Sequence, residues 1–231
     1  MKNIRDDPDH DEYLRRWVEL YERANYDEGL SGYFLKKSHL WAERPFGDDI
    51  HFGKVLEVGA GTGIHVGYIR HTFDEYWMTD LNPAFLERAA AQRGRRTHGD
   101  VRIDRQDAGS LTFPDSSFDR VIAAHVLEHL AQPHRVIREW VRVLKPGGVL
   151  SLVLPCDPGM AWRIGRAVGS RGKFVKAGIA YDYWMAREHV NSINNLASFV
   201  RHYFGDVQET WMPFRVPSMD LNLFYIAHAR V

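Results

Sequence analysis

The feature that most constrains the fold is a regular alternation of strand-like and helix-like stretches between Lys54 and Pro155. Short apolar runs predict strands, and the stretches between most of them predict helices. The last run is apolar throughout, which is typical of a strand that is buried on both faces. This order predicts right-handed crossovers and an α/β fold with a doubly wound, mostly parallel sheet. The five predicted strands are KVLEVG, EYWMTDL, VRIDRQDA, FDRVIAAHV and VLSLVLP.

Proline marks the start of two predicted helices. Pro83 and Pro133 each fit the first turn of a helix, where the missing N–H has no intrahelical partner to lose. The predicted helices begin at about Ile64, run from Pro83 to about Gln92, and run from Pro133 to Leu144, where the turn KPGG follows.

The residues before the alternation predict a helical N-terminal cap. Tyr13, Trp17 and Leu20 recur at helical spacing within the stretch 9–44, which is interrupted near Gly29.

The residues after the alternation divide into two parts. Residues 156–188 contain five glycines and a cluster of aromatic side chains, and they predict a long irregular segment of the kind that is usually functional. A helix over Ile193 to Tyr203 and two strand-like stretches complete the chain. Only the short turn RVPSMD separates those stretches, VQETWMPF and LNLFYIAHARV, which predicts antiparallel pairing.

The composition excludes several classes of protein. Hydrophobic residues make up 45% of the 231 residues and charged residues 26%, as in an ordinary globular chain. The 30 basic residues equal the 30 acidic residues, so no net field attracts duplex nucleic acid. The single cysteine, Cys156, cannot form an internal disulfide. No apolar run approaches the roughly 18 residues of a membrane span, and the start MKNIRDDPDHDEY lacks the apolar stretch of a signal peptide, so we expect a cytoplasmic protein.

The strand KVLEVG leads into a loop that contains Gly59, Gly61 and Gly63. Glycines permit positive φ angles and let backbone N–H groups touch a ligand at the start of the next helix. The dinucleotide fingerprint GxGxxG would place a glycine where Ile64 stands, and no lysine follows at P-loop spacing. Asp80 ends the second strand, where an acid can bind both ribose hydroxyls of NAD or of an adenosyl ligand. The loop therefore predicts a nucleotide-like ligand.

Five motifs together resemble those of class I S-adenosylmethionine-dependent methyltransferases, in order and at the expected intervals. They are VLEVGAGTG, MTDLNP, QDA at 106–108, FDRVIAAHVLEHL and VLKPGGVLSLVLP. The resemblance covers about Lys54 to Pro155 and is to the small-molecule type, similar to the ubiquinone and menaquinone methyltransferase branch with a type 11 domain. It implies a Rossmann-like seven-stranded sheet that ends in an antiparallel strand, with a lid inserted after the fifth strand.

The resemblance implies S-adenosyl-L-methionine as the cofactor and assigns roles to single residues. The glycine loop would surround the methionine moiety, Glu57 would lie near its ammonium group, and Asp80 would hold the ribose. Asp107 and the backbone N–H of Ala108 would contact the adenine. The full predicted cofactor-binding set is Glu57, Gly59, Ala60, Gly61, Gly63, Asp80, Leu81, Asp107, Ala108 and His125.

Two histidines are candidates for a base that receives the proton of a hydroxyl acceptor. His189, in REHVNSI, is the first candidate because related enzymes can place a histidine at this junction against the substrate, although a histidine that caps a helix start would look the same in sequence. His125 is the second candidate. The run HVLEH from His125 to His129 also matches the zinc-peptidase pattern HxxEH. We predict no metal site there, because His125 should end a strand and cannot share a helical face with His129.

We predict one domain over residues 1–231. Its parts are an N-terminal helical cap (1–50), a cofactor-binding core (54–155), a lid and substrate segment (156–190), and a C-terminal helix with a strand pair (191–231). The lid carries basic residues that favour an anionic acceptor or a lipid interface, although a solvated loop with an aromatic anchor fits the same composition. Those residues are Arg163, Arg166, Arg171, Lys173 and Lys176.

The predicted activity is methyl transfer to a small-molecule acceptor, with oxygen slightly favoured over nitrogen or carbon. Two alternatives remain at this stage. An NAD-dependent oxidoreductase would share the fold and the ribose-binding acid, and a catalytically silent relative could serve as a binding protein.

Overall fold

The computed structural model of the protein describes residues 6–26, 29–91 and 99–231. Seven strands form one sheet in the order β3-β2-β1-β4-β5-β7-β6. Strands β1 to β5 pair in parallel, and β7 pairs antiparallel with both β5 and β6. This confirms the predicted doubly wound sheet and its antiparallel C-terminal strand. The strands are β1 His51–Val58, β2 Thr72–Asp80, β3 Asp100–Arg105, β4 Phe118–Ala124, β5 Leu144–Pro155, β6 Asp206–Met212 and β7 Phe224–Arg230.

Eight α-helices lie within the described ranges, together with two short 3₁₀ turns, His65–Tyr68 and Leu127–His129. The helices are α1 His10–Asn25, α2 Leu30–Ala42, α3 Pro83–Ala90, α4 Pro133–Val143, α5 Met160–Val168, α6 Ser170–Lys176, α7 Tyr181–Glu188 and α8 Ile193–Tyr203. The predicted starts at Pro83, Pro133 and Ile193 are confirmed. The predicted end of α3 near Gln92 lies outside the described residues.

The connection from β1 to β2 differs from the prediction. A helix was expected from about Ile64, but only the 3₁₀ turn His65–Tyr68 forms there. Pairing of His51 with Thr72 places the start of β2 beside the start of β1, so the eight residues 64–71 must return along the whole of β1. That strand is about 26 Å long at 3.3 Å per residue, whereas eight helical residues cover only about 12 Å. An extended connection is therefore required.

The segment after β5 is helical, and the prediction of an irregular segment was wrong. Three of its glycines lie at helix ends. Gly159 is the N-cap of α5, and Gly169 is both the C-cap of α5 and the N-cap of α6. Gly178 lies between α6 and α7 with φ of 80°. Glycine is favoured at such junctions because it adopts backbone conformations that other residues avoid.

Aromatic side chains attach this helical segment to the N-terminal helix α1. The ring of Trp184 stacks on that of Tyr13 with 3.9 Å between centroids, and Phe174 stacks on Trp17 at 4.5 Å. Together they form a small hydrophobic core separate from the two that flank the sheet. The N-terminal helix α1 therefore packs against α6 and α7 of the segment that follows β5.

Candidate active site

The predicted cofactor-binding residues lie at the carboxyl ends of β1 to β4, the edge of an open parallel sheet where ligands bind. The strand order reverses between β1 and β4, and the glycine loop leaves the sheet at this point. Gly59, Gly61 and Gly63 have φ angles of 66°, 54° and 74°. The loop therefore has the left-handed backbone that the sequence predicted.

Two glycines of the loop are required for different reasons. A Cβ atom at Gly59 would lie 2.5 Å from Cγ2 of Val126, so the loop packs directly on the segment that follows β4. A Cβ atom at Gly61 would meet no described atom within 4 Å. The backbone at Gly61 is thus open to a ligand, and a side chain there would fill the space that a ligand needs.

Glu57 is a buried carboxyl group at the base of the loop. It is 2% exposed, and its Oε2 accepts a hydrogen bond of 2.8 Å from the hydroxyl of Tyr76. Burial raises the pKa of Glu57 to about 7, although His65 and the Tyr76 hydrogen bond oppose this shift. A cationic group beside the loop would restore the carboxylate, so the position suits an ammonium group.

Asp80 joins the end of β2 to the glycine loop. Its Oδ2 accepts a hydrogen bond of 2.9 Å from the backbone N–H of Gly61, and its Oδ1 accepts one of 2.8 Å from Asn82. Each carboxylate oxygen has a second lone pair and can accept from a ribose hydroxyl as well. Burial raises the pKa of Asp80, and these backbone hydrogen bonds oppose the shift. The neighbouring Leu81 is 58% exposed and available for apolar contact with a ligand.

Asp107 and Ala108 form an exposed turn after β3. Oδ1 of Asp107 accepts a hydrogen bond of 2.8 Å from the N–H of Gly109. The carbonyl of Ala108 accepts one of 2.9 Å from Nε1 of the fully buried Trp140. The turn is therefore fixed from below by α4, and its polar groups lie at the same edge of the sheet as Asp80.

His125 follows β4 with a positive φ of 61°, which is a strained conformation for this residue type and is common at functional sites. Its Nε2 lies 3.4 Å from Oγ of Ser38 on α2, and its backbone N–H donates to the carbonyl of Val153. Burial lowers the pKa of the imidazole to about 3, and the neighbouring histidines His129 and His189 lower it further.

His189 follows α7 and lies at the edge of an open pocket of about 390 Å³. Its Nδ1 is 2.9 Å from Oδ2 of Asp157, and its side chain is 11% exposed. It does not cap the next helix, because the side chain of Ser192 accepts the hydrogen bond from Asn195 there. The pocket is also lined by Pro158, Arg166, Asp182, Met185, Ala186, Val190, Asn191 and Ser192.

The run HVLEH does not form the helical zinc-peptidase arrangement, because His125 lies directly after the strand and His129 ends a single 3₁₀ turn. The structure instead brings His129 next to His189, with 4.8 Å between ring centroids. Glu128 is 1% exposed, and burial raises the pKa of its carboxyl group to about 8. One ligand atom from each of Glu128, His129 and His189 lies within 4.8 Å of the others, a group that could hold a metal ion.

Sequence reasoning missed Glu128, Tyr76 and Asp157 as members of this region. Asp157 had a usable signal, since it follows a buried strand at the edge where the other site residues lie. Tyr76 had none, because its contact with Glu57 depends on the pairing of β1 with β2.

The fold and the glycine-loop site resemble those of class I S-adenosylmethionine-dependent methyltransferases. Residues 56–152 match the family described as a methyltransferase domain. The left-handed loop, the open space at Gly61 and the carboxylates Glu57 and Asp80 fit S-adenosylmethionine as the cofactor of this class.

Named relatives agree with this assignment. Over 111 residues the chain is 40% identical to 2-methyl-6-phytyl-1,4-hydroquinone methyltransferase 1, chloroplastic, of Oryza sativa subsp. japonica. The matched region covers 47% of this chain and 33% of the relative. Over 121 residues it is 36% identical to the ubiquinone/menaquinone biosynthesis C-methyltransferase UbiE of Bordetella avium, with 47% and 46% covered. The chain therefore spans less than half the length of these curated relatives.

Among solved structures, the fold is similar to that of the N-methyltransferase NodS from Bradyrhizobium japonicum in complex with S-adenosyl-L-homocysteine. The TM-score is 0.65 at 17% sequence identity, with 95% of this chain and 96% of NodS covered. At this identity the likeness concerns the fold. Within the described part of the chain, no helix combines the length and the apolar character that a membrane crossing requires.

Proposed function

We propose that the protein transfers the methyl group of S-adenosylmethionine to a small-molecule acceptor, with oxygen favoured over nitrogen or carbon as the acceptor atom. The observation that carries the proposal is the position of the left-handed glycine loop between the buried carboxyl of Glu57 and Asp80, which accepts from Gly61 at 2.9 Å. The NAD-dependent alternative is less well supported, because Glu57 suits an ammonium group that NAD lacks.

The residues of the core hold the cofactor. Glu57 attracts its ammonium group, the amides of the loop approach its methionine end, and Asp80 accepts from the ribose hydroxyls. Asp107 and the N–H of Ala108 bind the adenine. When bound, the cofactor supplies an electrophilic methyl carbon on a sulfonium. The remaining task of the chain is to align the acceptor with that carbon, which can supply several kcal/mol of the barrier.

The acceptor site is proposed beside His189, in the open pocket of about 390 Å³ that is lined by α7 and by the segments 157–158 and 189–192. Such a volume suits a small organic molecule. Arg166 is the basic residue of the pocket lining and is the group proposed to attract an anionic acceptor, although it lies 3.6 Å from Asp157 and Asp182 also lines the pocket. Three side chains of α5 are more than half exposed, which supports a lipid-like acceptor or an interface with lipid; they are Met160, Ile164 and Val168. The relatives named for phytyl-hydroquinone and for ubiquinone and menaquinone support an acceptor of the quinone type, and the second of them is named a C-methyltransferase.

The helices α5 to α7 are proposed as a lid over this pocket, held to α1 by the Tyr13–Trp184 stack. His189 is proposed to receive the proton of a hydroxyl acceptor. Its Nδ1 faces Asp157, which orients the ring and leaves Nε2 for the acceptor. His125 is the second candidate for this role. The predicted cytoplasmic location stays a prediction.

The test combines binding with turnover. Calorimetry should show binding of S-adenosylmethionine and S-adenosylhomocysteine but not of NADH, and Asp80→Ala should weaken binding about tenfold or more, since charged hydrogen bonds contribute about 1.5–3 kcal/mol each. The control is Asp74→Ala, which removes an exposed aspartate at the other end of β2. Heat of binding with NADH and none with S-adenosylmethionine would support the oxidoreductase alternative instead.

Transfer of a labelled methyl group to hydroquinones, phenols and amines then tests the reaction. Transfer to a hydroxyl supports the proposal in full, and transfer to nitrogen or carbon would revise the acceptor atom. Tight cofactor binding without transfer to any compound would favour the catalytically silent alternative.

A further inference from the structure

We propose that Glu128, His129 and His189 form a binding site for a divalent transition-metal ion at the edge of the acceptor pocket. One ligand atom from each side chain lies within 4.8 Å of the other two. A carboxylate with two imidazoles is a ligand set that Zn²⁺, Fe²⁺, Co²⁺ and Mn²⁺ accept, whereas Ca²⁺ prefers oxygen ligands alone. Metal binding by these side chains is a property separate from the methyl transfer proposed above.

Both histidines make a hydrogen bond through Nδ1 to an acceptor oxygen, which is the arrangement typical of histidines that bind a metal through Nε2. Nδ1 of His129 is 3.0 Å from the carbonyl of Glu188, and Nδ1 of His189 is 2.9 Å from Oδ2 of Asp157. Both partners are acceptors, which assigns the proton of each ring to Nδ1 and leaves Nε2 with a lone pair. Histidines that bind metals almost always donate their other ring N–H to a carbonyl or a carboxylate in this way.

The environment of the Glu128 carboxyl group independently supports a bound cation. It is 1% exposed, and its Oε2 accepts no hydrogen bond from any residue in the described ranges. Its Oε1 lies 3.9 Å from Nε2 of His129 and 4.0 Å from Nδ1 of His125. A buried carboxyl oxygen without a hydrogen-bond partner is unfavourable, and a cation bound to this carboxyl group would satisfy it.

An ordinary contact between Glu128 and His129 explains the arrangement less well. Nε2 of His129 and Oε1 of Glu128 are 3.9 Å apart, which is too far for a hydrogen bond between them whether or not the carboxyl group holds a proton. A metal ion between the two atoms would bond to both. His129 is 38% exposed, so an ion can enter from solvent.

Three protein ligands leave coordination positions open, as in catalytic metal sites. An open position could take an oxygen of the acceptor; this part of the inference rests on the proposed function. A metal ion on Nε2 would also occupy the lone pair with which His189 would otherwise receive a proton, so His189 performs one of the two roles at a time.

The experiment uses the full chain after treatment with a chelator. Calorimetric titration with Zn²⁺ should show one equivalent bound, and Co²⁺ should give a visible absorption band of a protein-bound ion. Glu128→Gln and His129→Ala should abolish the strong site. Asp157→Asn should weaken it 10- to 100-fold, as expected for a partner that orients a ligand, while His202→Ala, an exposed histidine of α8, should leave it unchanged.

Titration of each variant with S-adenosylmethionine serves as the folding control and separates the two proposals. Retained cofactor binding with lost Zn²⁺ binding supports the metal site, whatever the outcome of the methyl-transfer assay. The metal site is wrong if the wild-type chain shows no saturable binding, or if Zn²⁺ binds equally to wild type, Glu128→Gln and His129→Ala. If His129→Ala fails to fold, the site is judged from two other results. Weaker Zn²⁺ binding in Asp157→Asn and a visible Co²⁺ band in the wild type support it, and the absence of both contradicts it.

Discussion

Arg120 on β4 donates two hydrogen bonds, each 2.8 Å long, to the carboxylate of Glu43 at the end of α2, and both side chains are fully buried. Nε2 of His65, in the turn after the glycine loop, lies 2.9 Å from the same carboxylate. Although burial raises the pKa of Glu43, Arg120 and His65 hold it well below its usual range. The N-terminal cap is thus tied through one ion pair to the sheet and to the cofactor loop.

Removal of Arg120 should strongly destabilise the protein. Arg120→Met leaves the Glu43 carboxylate buried without its main partner, and breaking a buried pair in this way typically reduces the free energy of unfolding by about 3–5 kcal/mol. Chemical denaturation measures the change. The control is Arg201→Met, which breaks the exposed pair with Glu209 and should change stability by about 1 kcal/mol or less. Equal effects of the two substitutions would show that the buried pair has no special role.

Binding of the cofactor should depend on pH through Glu57. The raised pKa means that the free protein holds a proton on this carboxyl group below about pH 7, whereas the ammonium group of the cofactor favours the carboxylate. Binding must then release a proton, so affinity should fall as the pH falls from 7 towards 5.5, by at most about tenfold per pH unit. Calorimetry in buffers of different ionisation enthalpy measures the released proton. Glu57→Gln should bind more weakly and lose the dependence on pH in this range; an unchanged profile would exclude Glu57 as its source.

The sequence predicted those parts of the molecule that depend on neighbouring residues along the chain. The glycine loop, Asp80 and the starts of α3 and α4 were all placed correctly, because turn conformation and helix capping are local. The extended connection 64–71 was missed because it depends on the register between His51 and Thr72.

Contacts between residues that are far apart along the chain could not be predicted from the sequence either. Glu43 and Arg120 are 77 positions apart, and His189 meets His129 only because α7 returns to the edge of the sheet. The helices after β5 were missed for a related reason. Some of their aromatic residues pack on α1, which is more than 140 positions away, so glycines that cap helices looked like the glycines of a loop.

Two glycines of the loop should respond differently to the same substitution. Both Gly59→Ala and Gly61→Ala place a side chain at positive φ, which destabilises by roughly 1–2 kcal/mol. Gly59→Ala adds a clash with Val126, and overpacking of this kind typically adds about 1–3 kcal/mol. The melting temperature should therefore fall further for Gly59→Ala, while Gly61→Ala should keep a folded chain with greatly weakened cofactor binding. Wild-type affinity in Gly61→Ala would show that the open space there is not part of the cofactor site.

The role of His189 can be separated from that of the cofactor site. His189→Ala removes a side chain that lies on the acceptor pocket, and its hydrogen bond is to Asp157 at 2.9 Å, which is outside the predicted cofactor-binding set. Affinity for S-adenosylmethionine should stay within about twofold of wild type, whereas kcat for a hydroxyl acceptor should fall about 10²- to 10⁴-fold, the usual contribution of a positioned proton acceptor. His202→Ala removes an exposed histidine of α8 that is not part of the pocket lining and is the matched control, with kcat close to wild type. A near-normal kcat for His189→Ala would remove this histidine from the reaction and transfer the test to His125.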